Sequence, residues 1–553
     1  MNKFFKAISL ITTLAVTAGI GFSANAAKVD IVPDGDVSNI TSSELSSQEE
    51  TATLNTTSSS LPEAYSSRDL SYVTPIRNQE NTLACWAFSG LSAFETLLVK
   101  DSKIENSSDS WFAPAHADAW GTTRADGTGW LRTYETSGGY PYITLGYLTS
   151  WTGAIKETDF PFRSSYELFD INNEYDVDYG ATGIIYVDNS DTDTVKQCIM
   201  DYGSVVSSYN QLSRFATYNN LNYYCPSLQT TVVGHSINIV GWDDNYSKEN
   251  FQTTSNNETY IPDNDGGWLC KNSWGTATGD KGYFWISYED AYILGDKFGP
   301  NYAITDYEEN TPTTSLYQVE KYGATYEFDY LNNFPSTNNV YINVFDFDNA
   351  EVLDKVVFES ESAGADYTIY YIPMDITGAT PDNNQSNWVA LKEGTIPYAG
   401  YFSIDVEDII VSGKGAVGVR INTTNTKIVN SIGVDEWLTS SRNNEYLFKP
   451  NAQSNVSYIY YKGKIQEIMN FYKTSLNDTE GGNLVIKAIT HTILGDVNQD
   501  GVINITDATA LQKHISQIEL LSDKGATNGD FNQDGRLNIM DCTAIQKYIA
   551  NNN

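Results

Sequence analysis

Residues 75–89 read PIRNQENTLACWAFS. Cys85 and Trp86 open an apolar run at helical spacing, Phe88, Leu91, Phe94, Leu97 and Leu98, so a helix is predicted to start at the cysteine. A thiol at a helix N-terminus sits at the positive end of the helix dipole, which favours thiolate over thiol and makes a better nucleophile. Six positions upstream, Gln79 offers a neutral amide donor of the kind that steadies the oxygen of a carbonyl under attack. Far along the chain, His235 lies in GHSINIVGW and Asn272 in CKNSWG, both in strand-like surroundings. Together these supply a candidate nucleophile, base, orienting amide and oxyanion donor. The other histidines compete poorly: His116 lies in an alanine-rich stretch, His491 in a linker and His514 in a C-terminal repeat.

Taken in order, glutamine, cysteine, histidine and asparagine, these segments resemble the papain-like cysteine peptidases. The likeness runs over residues 61–288 and includes GGYPY at 138–142 and NSWG at 272–275. It implies an α+β, two-lobed catalytic domain over 61–305, with Cys85 as nucleophile, His235 as base and Asn272 orienting the imidazole. It further implies that Gln79 and the Cys85 N–H form the oxyanion hole, that Gly139 pairs with substrate backbone, and that the substrate is a protein or peptide. That chemistry calls for no cofactor. The chain also departs from the family. Where the family writes Cys-Gly-Ser-Cys-Trp, it has Thr82-Leu83-Ala84-Cys85-Trp86, so a disulfide near the site is lost and Leu83 adds bulk beside the cleft. A polar insert over 246–266 separates His235 from Asn272 and reads as a surface loop between two strands. These departures support a second reading, a catalytically impaired papain-like protein acting as a scaffold-bound protein or glycan binder.

Beyond the first helix, residues 142–151 read as another short helix, and TDTVKQCIMDY at 192–202 as a helix with an aspartate-rich start. Strand patterns follow at 204–209, 235–242, 267–272 and 283–288. A helical half before a strand-rich half is the division in which a cleft lies between two lobes.

The chain has 553 residues, enough for several domains. Its 33 Lys and Arg against 70 Asp and Glu leave a formal charge of −37, and no stretch supplies the basic patch that nucleic acid requires. Residues 1–26 carry Lys3 and Lys6, an apolar run over 7–20 and Ala24-Asn25-Ala26, the pattern of a secretory signal peptide cleaved after Ala26. No later stretch is apolar enough to span a bilayer, so a secreted, extracellular protein is expected. Residues 27–60, rich in Ser, Thr, Asp and Glu, read as a flexible linker or a short pro-segment. Five cysteines are an odd count. They leave a Cys198–Cys225 bridge open without any regular disulfide framework, while Cys198, Cys270 and Cys542 suit small buried apolar positions.

From 311 to 490 short alternating or aromatic-rich segments recur: YEFDYL, NVYINVFDF, KVVFES, DYTIYYIP, YFSIDVEDIIV, AVGVRINT, SNVSYIYY and LVIKAIT. Gly, Asn and Asp punctuate them, the pattern of an all-β sandwich. ADYTIYYIP and the region around GYFSIDVE resemble the lectin-like domain that follows papain-like domains in some secreted bacterial enzymes. A glycan ligand is left open there, because Tyr and Trp on strands serve cores more often than ligands.

At the C-terminus, DVNQDGVINITD at 496–507 returns as DFNQDGRLNIMD at 530–541. Oxygen-bearing residues stand at loop positions 1, 3, 5, 9 and 12, with glycine at 6 for the sharp turn, as a calcium ion needs. They are Asp496, Asn498, Asp500, Asn504 and Asp507 in the first loop, and Asp530, Asn532, Asp534, Asn538 and Asp541 in the second. Position 7 ligates through its backbone carbonyl, at Val502 and Arg536. Two calcium ions are expected. Aspartate at position 12 makes the pair resemble a type I dockerin, over residues 493–553, a small α-helical module. Few apolar residues besides Leu511, Ile515, Ile545 and Ile549 join its helices, so calcium should be required for it to fold. The resemblance implies a cohesin module of a scaffoldin as partner, and hence attachment to a cellulosome-like complex. Cohesin would be read by Ile505-Thr506 with Gln512-Lys513 and by Ile539-Met540 with Gln546-Lys547, two faces made unequal by Thr506 against Met540.

Overall fold

The helix that begins at the cysteine runs Cys85–Lys100 in the computed structural model. Residues 61–552 are described, apart from 125–126, 133–137, 163–174, 256, 329–338, 424–429, 437, 440–445 and 477–480. The expected signal peptide and linker or pro-segment, residues 1–60, lie outside the described residues. Every residue from Trp86 to Leu98 is buried, polar Ser89, Ser92, Glu95 and Thr96 included. A helix buried on all sides is a core element and not a surface one. Close approach makes that burial dense: a Cβ on Gly90 would stand 2.5 Å from Thr144 Cγ2, and Thr144 Oγ1 donates to Trp86 O at 3.0 Å. The neighbouring helices Pro114–Trp120 and Pro141–Thr149 both start on proline, whose fixed φ and missing N–H suit a first helical position. Thr192–Tyr202 is capped by the Asp191 side chain, which accepts from Thr194 N–H, and stops at Gly203 with φ 92°.

The second lobe is an antiparallel sheet in which Val205–Asn210, Gly234–Asp243, Gly267–Lys271 and Tyr283–Ser287 are successive neighbours. The 246–266 insert is more than a loop. It holds a tight turn at Lys248–Phe251 and a hairpin of Thr253–Ser255 with Glu258–Tyr260. Its few aromatics do this work, since Phe251 is fully buried and Tyr246 stacks on Trp285 at 4.1 Å.

In the β-rich region two pairs of expected strands merge. NVYINVFDF and KVVFES form one strand, Val340–Ser360, and YFSIDVEDIIV and AVGVRINT form another, Gly400–Asn422. They pair along nearly their whole length, with register shifts between Phe347 and Glu351 and between Leu353 and Lys355. Bulges let a strand bend where the polar punctuation suggested a break. The sheet also crosses from one domain into the next. Tyr179–Val187 pairs with Asn301–Glu309 on one side and, at Ile184 and Ile185, with Tyr401 and Gly400 on the other. Gly400 permits the junction because a Cβ there would collide with the Ile184 carbonyl. No helix among the described residues is long and apolar enough to cross a membrane.

All five cysteines are free, so the Cys198–Cys225 bridge is not formed. Each thiol is accommodated separately: Cys198 is buried on its helix and Cys225 Sγ donates to Ser227 O at 3.3 Å. His116 is buried as well, with Nδ1 2.7 Å from Tyr147 Oη, and burial lowers its pKa to about 4. The unfolded chain therefore binds this proton first as pH falls, so the contribution is full above about 6.5 and is lost by about 4. His116→Gln is expected to flatten the fall of the thermal midpoint between pH 6.5 and 4 by an amount equivalent to about 3 kcal/mol relative to wild type. Equal slopes in calorimetry would refute this.

Candidate active site

Two chain segments lie side by side and bring the distant motifs together. Gln79 N–H donates to Ser273 O at 2.8 Å, Asn78 bridges Trp274, and Gly275 N–H donates to Arg77 O at 2.9 Å. The Gln79 side chain is fixed at both ends: its Nε2 donates to Thr82 O at 2.8 Å and its Oε1 accepts from Ser273 Oγ at 2.6 Å. One Nε2 hydrogen thus has a protein partner, and the amide has a second hydrogen to offer.

His235 comes from the Gly234–Asp243 strand, which packs along the Cys85 helix; Asn238 Nδ2 donates to Ser89 O at 2.9 Å. Its Nε2 lies 2.9 Å from Asn272 Oδ1. Asn272 Oδ1 also accepts from Ser273 N–H at 2.8 Å, which sets the amide's orientation. The imidazole must then carry its proton on Nε2, and Nδ1 keeps a lone pair. Trp274 stacks on the imidazole at 4.4 Å, and Tyr209 meets it edge-on at 5.8 Å.

Cys85 is partly exposed at the first position of its helix, and its thiol lies against the backbone N–H and hydroxyl of Ser236, the residue after His235. Ser236 Oγ is in turn 2.9 Å from Ser208 Oγ. No hydrogen bond among the described residues joins Cys85 Sγ to the imidazole. Electrostatics depart from the expectation of a thiol eased into its thiolate by the helix dipole. Burial raises the Cys85 pKa, outweighing the Ser236 groups that favour the anion, and burial lowers that of His235 to about 4 against the support of Asn272. Both shifts favour the uncharged forms, thiol and imidazole, over the ion pair. Gly139 lies flat on Trp86, where any Cβ would collide with the indole, and Leu83 is 50% exposed.

Behind Asn272 lies a buried ionic network with no spacing signal in the sequence. Glu95 accepts from Thr74 Oγ1 at 2.5 Å and from Phe112 N–H at 2.8 Å, with Arg77 Nη1 at 3.8 Å. Lys271 donates to Ser92 Oγ at 2.7 Å and Thr74 Oγ1 at 3.1 Å, while Arg77 also pairs with Glu157 and donates to Phe112 O at 2.6 Å. Burial raises the Glu95 pKa, and Arg77 and Lys271 oppose it; burial lowers Lys271 to about 8. The one hint of this network was a carboxylate inside an apolar helical run. Removing Arg77 strands a buried charge, so Arg77→Met is expected to destabilise the domain by about 3–5 kcal/mol in denaturant titration. A loss below about 1 kcal/mol would mean that Lys271 alone compensates Glu95.

The two C-terminal loops are built alike. Asp496 accepts from Asp500 and Gly501 N–H at 3.0 and 2.7 Å, and Asp507 from Asn498 and Asn504 N–H at 3.1 and 2.8 Å. Asp530 and Asp541 repeat the pattern with Asp534, Gly535, Asn532 and Asn538. Gly501 and Gly535 have φ of 87° and 75°, the turn that position 6 demands. Asp496, Asp507 and Asp541 are fully buried, and no Lys or Arg among the described residues pairs with them. Buried carboxylates without a protein counter-charge suit a hard cation. No group of three or more His, Cys, Asp or Glu that could hold a metal ion stands among the described residues. The loop donors, however, would include Asn amides and the carbonyls of Val502 and Arg536, which lie outside that set. Helices Ile505–Ile515 and Ile539–Asn552 meet over a small core of Val497, Ala508, Leu511, Cys542 and Ile545.

Comparison with known proteins gives three family matches in order. They are papain family cysteine protease at residues 61–297, lectin-like domain at 316–490 and dockerin type I domain, a calcium-binding class, at 494–550. The clostridial cysteine protease Cwp84 after propeptide cleavage is 31% identical, with a TM-score of 0.65 over 78% of this chain and 99% of that one. The cysteine protease and lectin-like domains of Cwp84, described as a surface layer associated protein of Clostridium difficile, give the same identity and TM-score over 89% of that chain. Cathepsin L2 of Homo sapiens is 26% identical over 41% of this chain, and digestive cysteine proteinase 3 of Homarus americanus 27% over 42%. This chain spans 61% and 64% of the length of those two relatives. With its α+β two-lobed domain followed by a lectin-like β-rich region and a helical dockerin, the chain belongs to the papain family of cysteine proteases.

Proposed function

We propose that the chain is a secreted cysteine endopeptidase that docks onto a cellulosome-type scaffold. The observation that carries this is the Nε2-bonded His235 under Trp274, which leaves the Nδ1 lone pair on the strand that packs along the Cys85 helix. In the reaction, the thiol proton of Cys85 passes to the Nδ1 lone pair of His235. Resting hydrogen bonds of this kind are commonly long and tighten when substrate binds. Sulfur attacks the peptide carbonyl carbon, and the C–O π pair moves onto oxygen, held by Gln79 Nε2 and the Cys85 N–H. As the tetrahedral adduct collapses, the imidazolium proton goes to the departing amine and a thioester remains. Water, deprotonated by His235, then hydrolyses the thioester and returns the thiol. Asn272 keeps the imidazole tautomer and plane, and Gly139 pairs with substrate backbone.

By the same reading, residues 1–26 direct export, 27–60 are a linker or short pro-segment, 61–305 form the peptidase, 311–490 the lectin-like domain and 493–553 the dockerin. Two calcium ions are held by Asp496, Asn498, Asp500, Val502, Asn504 and Asp507, and by Asp530, Asn532, Asp534, Arg536, Asn538 and Asp541. Calcium supplies the counter-charge for those buried carboxylates. The partner is a cohesin and the substrate a protein or peptide; retention of the lectin-like domain on polysaccharide decides whether a glycan is a further ligand there.

The second reading, a catalytically silent binder, draws on the neutral thiol and imidazole and their missing hydrogen bond. An epoxide thiol inhibitor separates the two. One equivalent on Cys85, with peptide-library cleavage lost in proportion, is expected, and Cys198, Cys225, Cys270 and Cys542 should stay unlabelled because they are buried. An unlabelled Cys85 in a protein that cleaves no peptide favours the binder.

A further inference from the structure

We propose that Arg132 is a positioning residue for substrate binding, a buried clamp that holds the Gly138-Gly139 segment at the edge of the cleft. The proposal rests on the peptidase reading and deepens it. Arg132 and Asp118 are only 7% and 5% exposed and pair at 2.8 Å. The same guanidinium donates through Nε to Gly138 O at 2.7 Å and through Nη1 to Gly121 O at 3.0 Å. Its carbon stands 4.8 Å from the centre of the Trp86 ring. One planar group therefore ties together the C-terminal end of Pro114–Trp120, the first turn of the Cys85 helix and the glycine segment.

Burying a guanidinium is costly unless its donors are satisfied, and three of them are directed at three separate acceptors here. The arrangement has a consequence at Gly139. Arg132 pulls the Gly138 carbonyl inward, and Trp86, one residue after Cys85, forms the floor on which only a glycine can lie. Gly139 is partly exposed, and among the described residues no backbone hydrogen bond takes up its N–H or C=O. An extended peptide can add to such an edge, with main-chain hydrogen bonds supplying affinity. Because the clamp and the nucleophile share Trp86, the distance between the glycine edge and Cys85 is set by Arg132. Lysine, a point charge on a flexible stem, can keep the Asp118 pair but not the fork to Gly138 and Gly121 or the stack on Trp86.

The test compares two substrates on the full chain with calcium: a single-residue activated ester, which does not reach Gly139, and a peptide with four residues before the scissile bond. Variants are Arg132→Lys and the double Arg132→Leu with Asp118→Leu, which removes both buried charges together and so avoids leaving one unpaired. The expected result for both variants is a loss of about 10-fold or more in kcat/KM on the peptide, carried mainly by KM, with about 2-fold or less on the ester and on the rate of Cys85 alkylation. If the lysine variant does not fold, the double variant carries the comparison. Equal losses on both substrates, or wild-type kcat/KM on the peptide, overturn the proposal. A wild type that turns over neither substrate sinks the peptidase reading, and the clamp with it.

Discussion

Cys85→Ala is expected to abolish peptide hydrolysis, a fall in kcat of at least about 10⁴-fold, with the fold retained. Alanine suits a first helical position and keeps the Cys85 Cβ, so the start of the helix is expected to be unchanged. His235→Ala should cost about as much, and the double variant little more, because the proposed mechanism makes nucleophile and base act as one unit. Asn272→Ala should cost less, about 10²-fold, since the Trp274 stack at 4.4 Å still holds the ring plane after the 2.9 Å bond to Nε2 is gone. The pH profile follows from the same burial. In the proposed mechanism His235 acts as base only while neutral, and burial lowers its pKa to about 4. Its protonation should therefore remove activity as pH falls through about 4, not through the usual imidazole range near 6.5. Stopped assays of kcat/KM from pH 3.5 to 8 on each variant read all of this. Residual turnover by Cys85→Ala close to wild type would end the covalent mechanism.

How much of this was legible before the structure depends on whether the signal was local. Helix positions were, because they are written in adjacent residues: the apolar run after Cys85, or TDTVKQCIMDY at 192–202 with its aspartate-rich start. So were the two calcium-type loops, whose twelve positions are contiguous. Of the active-site neighbourhood, the four motif residues were readable as a resemblance in chain order, but not the groups between which they stand. Ser236 touches Cys85, Ser273 locks Gln79, and Arg132 locks the glycine edge, yet each is a single polar residue whose partner lies elsewhere in the chain. The merged strands failed for a different reason. Asp348-Asn349-Ala350 reads as a turn, but at a bulge the neighbouring strands keep the backbone paired on both sides of it. The sheet joining the peptidase to the lectin-like region was likewise invisible, since it hangs on two residue pairs and one glycine. Burial also reversed an electrostatic expectation at Cys85, because a helix terminus contributes only about 1 kcal/mol where desolvation can shift a pKa by several units.

Removing calcium is expected to unfold the dockerin and abolish cohesin binding, a loss of affinity of about 10³-fold or more, while peptide hydrolysis persists. Five fully buried side chains, two of them alanine and cysteine, are a small core for two helices of 11 and 14 residues. Against that core stand Asp496, Asp507 and Asp541, buried carboxylates whose partners are backbone N–H groups and not cations. Without an ion their mutual repulsion and lost hydration favour opening, whereas an ion present at about 1,000 times its Kd contributes roughly 4 kcal/mol per site to the folded form. The peptidase should be spared, since its network around Glu95, Arg77 and Lys271 contains its own counter-charges. Asp496→Ala and Asp530→Ala each disable one loop, and either alone should halve the calcium stoichiometry in calorimetry. The helical circular dichroism of the dockerin lost on chelation should return when calcium is restored. A chelated chain that holds cohesin at full affinity would mean the two loops are solvated turns that need no ion.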